Sequence, residues 1–88
     1  MSKVDIYTKL FCPFCIRAKR LLKRKGVAFN EIDVTMKPKA RAALRERAGG
    51  AHSVPQVFIN GKHIGDCDYL HALDARGELD PLLAASPT

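Results

Sequence analysis

Two periodicities alternate along the chain. From Lys3 to Thr8 polar and apolar residues take turns, with Val4 and Ile6 on one face and Lys3, Asp5 and Tyr7 on the other, so the segment reads as a strand. The period then lengthens. Cys15, Ala18, Leu21 and Leu22 fall on one side of a helix and the basic residues mostly on the other. Pro13 sits in its first turn, where no N–H is needed. Lys23, Arg24 and Lys25 occupy the last turn and complement the helix dipole, and Gly26 supplies the stop. Val27 to Val34 alternates again as a second strand. A strand, a helix and a strand within about 30 residues form a βαβ unit with parallel strands and a right-handed crossover. Pro38 opens a second helix with Ala40, Ala43 and Leu44 as a narrow apolar stripe, ending at Gly49-Gly50. Gln56 to Asn60 is a third strand, and Asn60-Gly61 turns it back into Lys62 to Ile64. Asp66 or Asp68 caps a third helix from Tyr69 to Arg76, stopped by Gly77. Glu78 to Ala85 reads as a last helical piece and Ser86-Pro87-Thr88 as a frayed tail. The element order, β-α-β-α-β-β-α, is that of an α/β protein.

A length of 88 residues suits one compact domain, 1–88, and is too short for two. The hydrophobic fraction of 47% and charged fraction of 27% are those of a soluble globular protein. Nothing approaches the roughly 18 consecutive apolar residues of a membrane span. Met1 to Asp5 shows no basic region leading into an apolar run, so no signal peptide is expected and the cytoplasm is the expected location. The net charge is +6, and Arg17, Lys19, Arg20, Lys23, Arg24 and Lys25 lie close together. Such a cluster reads as a nucleic-acid patch, as the solvated face of one helix, or as a surface attracting acidic partners. The solvated face is the reading adopted, because no aromatic stacking platform is interleaved with the charges. No nucleic-acid or membrane partner is therefore expected, and the chain is expected to be a monomer.

The chemistry concentrates at Cys12-Pro13-Phe14-Cys15. Three cysteines are an odd number, which suits a reactive pair plus one extra thiol better than a disulfide framework. Cys12 precedes the helix, where unpaired N–H groups and the positive end of the dipole converge; Cys15 lies on the apolar side of the first turn. One accessible and one shielded sulfur are expected. An ordinary cysteine is only about 3% thiolate at neutral pH. A helix N-terminus offers up to ~2 kcal/mol, or roughly 1.5 pKa units, toward the thiolate. Lys9 is the nearest cation in sequence. Cys12 is thus the candidate nucleophile and Cys15 the resolving thiol. Two other readings stand beside this one. The pair could be two inert core cysteines, or Cys12, Cys15, Cys67 and His71 could form a Cys3His zinc site. Pro13 and the long helix directly after the pair argue against zinc, and no metal is expected. His52, His63 and His71 read as surface or loop residues.

Tyr7-Thr8-Lys9, Cys12-Pro13-Phe14-Cys15, Ser53-Val54-Pro55-Gln56-Val57-Phe58-Ile59 and Gly65-Asp66-Cys67-Asp68 stand in the order and spacing of glutaredoxins. The chain resembles that family nearly end to end, in particular the small bacterial dithiol members. The resemblance implies a thioredoxin fold, a four-stranded mixed sheet flanked by helices. It also implies glutathione-dependent reduction of protein disulfides and glutathione mixed disulfides, with glutathione as co-substrate and no tightly bound cofactor. Disulfide-bonded or glutathionylated proteins would be the partners. Pro55 would be cis, the Val54 backbone would pair with the substrate's cysteine residue, and Phe14 would pack beside it. The backbone N–H groups of Cys67 and Asp68 would hold the γ-glutamyl carboxylate, and the Asp68 side chain the ammonium. Lys9 and Arg41 would meet the glycine carboxylate. Two residues depart from the family's usual pattern: Phe14 replaces a more common tyrosine, and Asp66 a more common glycine. A thioredoxin-like carrier recharged by a flavoprotein reductase is the alternative function; it would not need Lys9, Cys67 and Asp68.

Overall fold

The computed structural model describes residues 2–51 and 53–85; the tail at 86–88 and His52 lie outside the described residues. The elements run β1 (Val4–Thr8), α1 (Pro13–Arg24), β2 (Asn30–Asp33), α2 (Pro38–Arg47), β3 (Gln56–Ile59), β4 (Lys62–Gly65), α3 (Cys67–Ala75) and α4 (Leu79–Ala84). The sheet order is β2-β1-β3-β4. β1 and β2 are parallel, whereas β1–β3 and β3–β4 are antiparallel. This is the mixed four-stranded sheet that the resemblance implied.

The sheet is covered on both faces. Val4, Ile6, Val57 and Ile59 pack with Ala18, Leu21 and Leu22 of α1, with Leu70 and Leu73 of α3, and with Leu79 and Leu83 of α4. On the other face Tyr7 and Phe58 meet Leu44, Ala48 and Val34. Alternation therefore sorted the residues of β1 by face correctly, but the polar face is not open: all five residues are buried. β1 is a central strand, and α2 closes over the side that carries Asp5 and Tyr7.

Several boundaries shift for physical reasons. β2 is shorter than 27–34 because Val27 and Phe29 reach the core from a loop outside the ladder. Ala43 of α2 is exposed and Ala48, at the helix end, is buried in its place. α3 starts at Cys67, two residues before the expected start, because Asp66 is its cap: the Asp66 carboxylate accepts from Tyr69 N–H at 2.9 Å. Gly65 permits that start. Its φ is +140°, and a Cβ there would come within 3.1 Å of the Tyr69 ring. The hairpin turn forms as expected, with φ of 53° at Asn60 and 82° at Gly61. Asn60 also ties the turn to β1, accepting from Lys3 N–H through Oδ1 at 2.8 Å.

Asp5 shows what burial of that second face requires. Its side chain is 8% exposed and pairs at 3.2 Å with Arg47, which is 32% exposed. Arg47 also donates to the Tyr7 hydroxyl at 3.2 Å and lies 4.0 Å over the Phe58 ring. The second carboxylate oxygen, Oδ1, has no partner among the described residues. Arg47→Ala would strand a buried charge, and because the arginine is partly solvated the expected loss is about 2–3 kcal/mol. Asp5→Asn removes the charge and is expected to cost about 1 kcal/mol or less. Urea denaturation of both variants checks the asymmetry; equal losses would contradict it.

Candidate functional site

The site assembles where β1 ends. Leu10 N–H donates to Thr35 Oγ1 at 2.8 Å, and Thr35 N–H donates to Asp33 Oδ1 at 2.7 Å, so the loop after β1 is fastened to the loop after β2. Phe11 adopts φ +56° and is almost fully exposed. Cys12 is then the N-cap of α1, with Pro13 in the first turn.

Cys12 Sγ accepts from the Cys15 N–H at 3.3 Å. A sulfur at a helix N-cap thus takes the hydrogen bond that a capping hydroxyl or carboxylate would ordinarily take. The sulfur thereby sits at the N-terminal end of α1, facing its backbone N–H groups. On its other side the Cys12 thiol points at the Val54 carbonyl oxygen, 3.8 Å away. The Val54-Pro55 bond is cis, as the resemblance implied. The expectation of one open and one shielded sulfur needs correcting: Cys12 is 5% exposed and Cys15 1%. The Val54 loop lies over Cys12, a tertiary contact that helix position alone does not reveal.

Cys15 differs from Cys12 in kind. Burial pushes its thiol up to about 12; a hydrogen bond with Cys12 adds to the rise, and a backbone contact from Lys9 opposes it. Cys15 therefore holds its proton at neutral pH. All three cysteines are free thiols.

A cleft opens beside the pair. Phe14, Val54, Pro55, Cys67 and Asp68 line it, five of the residues singled out in the sequence. Ser53 and Asp66 complete the wall. Phe14 is half exposed and offers its ring to the opening. Lys9 is exposed directly after β1 and does not line the cleft. Arg41 belongs elsewhere: it lines a separate hollow with Met36, Pro38 and Arg45.

Cys67 is buried, and that burial raises its thiol. Its sulfur lies 3.4 Å from His71 Nδ1, which is also 2.9 Å from the Cys67 carbonyl oxygen. A carbonyl oxygen only accepts, so Nδ1 is the donor in that bond. Burial favours a packing role for the third cysteine. The same bond occupies the histidine of the alternative zinc set, and the described residues contain no cluster of three or more His, Cys, Asp or Glu able to hold a metal.

One feature of the wall escaped sequence reasoning. His63 Nε2 lies 2.6 Å from Gln56 Oε1, and Gln56 Nε2 donates to Ser53 Oγ at 3.2 Å. The buried Gln56 thereby fixes the cleft residue Ser53 from the edge of the sheet. Only a polar residue at the start of an apolar strand hinted at it.

The glutaredoxin family model matches residues 4–64. The chain is 54% identical over 85 residues to a glutaredoxin of Pseudomonas aeruginosa, covering 97% of this chain and all of that one. It is 53% identical over 83 residues to glutaredoxin 3 of Escherichia coli, covering 94% and 99%. Among solved structures it resembles the glutaredoxin of Brucella melitensis, with a TM-score of 0.80, 52% identity and coverage of 92% and 87%. A buckwheat glutaredoxin–glutathione complex superposes with a TM-score of 0.84 at 32% identity, covering 93% of this chain and 76% of that one. With a capped cysteine pair, a cis-proline loop facing it and relatives matched nearly end to end, the chain belongs to the glutaredoxin family, the glutathione-dependent thiol–disulfide oxidoreductases.

Proposed function

We propose that Cys12 is the nucleophile, Cys15 the resolving thiol and the adjacent cleft the glutathione subsite. The observation that carries the reading is the Cys15 N–H donated to Cys12 Sγ, against a Cys15 thiol raised by burial. Cys12 sits at the helix cap with a backbone donor on its sulfur, whereas burial keeps Cys15 protonated, and this difference separates attacking from resolving sulfur.

On a protein disulfide, the Cys12 thiolate attacks one sulfur and the other leaves as a thiolate. Cys15, once deprotonated, attacks the Cys12 sulfur, releases the second substrate thiolate and leaves a Cys12–Cys15 disulfide. One glutathione thiolate opens that bond at Cys12, and a second attacks the glutathione sulfur, giving glutathione disulfide and free Cys12. Two glutathiones are oxidised for each disulfide reduced. On a glutathionylated protein, Cys12 attacks the glutathione sulfur, the protein thiol leaves, and a second glutathione regenerates Cys12. Cys15 has no part in this second cycle.

In the subsite, the Val54 backbone pairs with the cysteine residue of glutathione. The N–H groups of Cys67 and Asp68 at the start of α3 take the γ-glutamyl carboxylate, and the Asp68 side chain takes the ammonium. Lys9 meets the glycine carboxylate. Arg41 has the weaker support, since it lines another hollow. Partners are glutathione and disulfide-bonded or glutathionylated proteins; glutathione is a co-substrate, with no tightly bound cofactor.

Steady-state reduction of a glutathione mixed disulfide, with glutathione or a flavoprotein disulfide reductase as donor, tests the reading. Saturable turnover with glutathione is expected. Turnover with the reductase alone would overturn it in favour of a thioredoxin-like carrier. Asp66→Asn belongs in the same experiment. It keeps a capping oxygen while removing a negative charge from the cleft wall. It is expected to lower the KM for glutathione by ~2–5-fold, the range of an exposed charge interaction.

A further inference from the structure

We infer that Arg17, Arg20 and Arg24, a row along α1 beside the cleft, form a docking track for an acidic segment of the protein disulfide substrate. The inference rests on the reading of Cys12 as nucleophile and adds the chemistry of the partner. The three arginines are spaced i, i+3 and i+7, so they share one stripe of the helix. They line a hollow with His71 of α3. Among the described residues none of the three forms an ion pair. Four other cations are matched internally, Lys19 with Glu31, Lys25 with Asp74 and Asp80, Arg47 with Asp5, and Arg76 with Glu78. Part of the +6 charge is thus left concentrated on this row.

The row leads to the reacting sulfur. Arg17 lies one turn after Phe14, a cleft residue. Its charge reaches Cys67 of the cleft wall and opposes the rise caused by burial. His71, which closes the hollow, contacts that same cysteine. From Arg17 to Arg24 the helix rises about 10 Å, the length of three or four residues of extended chain. Guanidinium groups take carboxylates bidentately, which suits aspartate and glutamate side chains on such a segment. A nucleic acid fits less well. Asp66 and Asp68 on the cleft wall repel a phosphate backbone that extends past the row, and nucleic acid carries no disulfide for Cys12.

The test compares two disulfide-bearing peptides that differ only in a four-residue flank, acidic in one and uncharged in the other. Their kcat/KM values are measured at low and high salt for the natural chain and for the triple variant R17Q/R20Q/R24Q. Binding of a cysteine-free fluorescent acidic peptide, and its displacement by a generic DNA duplex, is measured alongside. The natural chain is expected to prefer the acidic peptide by ~10-fold at low salt, as three exposed charge interactions allow, and to lose that preference at high salt. The triple variant is expected to lose the preference and the peptide binding while reducing a small glutathione mixed disulfide at the unaltered rate. Equal rates for the two peptides, a preference that survives in the variant, or DNA bound more tightly than the peptide overturns the inference. Loss of turnover on every disulfide with peptide binding intact would instead contradict the role of Cys12.

Discussion

A Cys12→Ser variant is expected to lose turnover of both protein disulfides and glutathione mixed disulfides by ~10⁴-fold or more, because every step of either cycle passes through its sulfur. A serine hydroxyl at the same cap could still accept from the Cys15 N–H, so the fold and the start of α1 are expected to survive. Cys15→Ser is expected to separate the two activities. Reduction of a protein disulfide should fall by at least ~100-fold, since the mixed disulfide on Cys12 loses its internal attacker. Reduction of a glutathione mixed disulfide should stay within about threefold, because a second glutathione closes that cycle alone. Parallel assays on both substrates, with mass spectrometry of the trapped protein, check the pattern. A Cys12–substrate adduct should accumulate in the Cys15→Ser variant. If Cys12→Ser spared turnover while Cys15→Ser destroyed it, the two roles would be reversed.

Much of this arrangement was legible before any coordinates, because local rules carry it. Pro13 and Gly26 bracket α1, the 3.6-residue period names Cys15, Ala18, Leu21 and Leu22 as its buried side, and Asn60-Gly61 marks the hairpin. The resemblance, not local rules, named Phe14, Val54-Pro55 and Cys67-Asp68 as residues that meet at the cleft. What stayed hidden depends on long-range packing. The burial of Asp5 follows from the position of β1 inside the sheet and from α2 lying over it, neither of which the alternation of a six-residue stretch contains. The contact of Cys12 with the Val54 carbonyl joins residues 42 positions apart, and it turned an expected open thiol into a nearly covered one. The Gln56–His63 bond joins β3 to β4, a pairing that only the folded hairpin brings about. Arg41 was assigned from the family pattern alone, and its helix turns it toward a different hollow.

Alkaline pH is expected to destabilise the reduced protein through Cys15 in particular. Its thiol lies near 9.0 when solvated and rises to about 12 in the fold, first because it is buried. Below pH 9 it is protonated in both native and unfolded chains, so this contribution to stability is complete. As pH climbs from about 9 to about 12 the unfolded chain releases the proton and the native one holds it. Stability is therefore lost with rising pH across this window. Lysines and other shared groups cancel in a comparison with Cys15→Ala. That variant should be the less stable protein at pH 8, having lost buried packing, and the gap between the two should narrow as pH rises toward 11. Urea denaturation in reductant at several pH values reads this directly, and a gap that stays constant with pH would contradict it. The same burial governs the reaction. A thiol that holds its proton attacks slowly, so the step in which Cys15 resolves a mixed disulfide should keep accelerating well into the alkaline range, while the glutathione-only cycle of Cys15→Ser should level off once the ordinary thiol of glutathione is ionised. On the proposed cycle, the fold thus keeps its second sulfur stable in the core at the expense of its readiness to attack, and leaves the Cys12–glutathione adduct time to be reduced by a second glutathione before Cys15 intervenes.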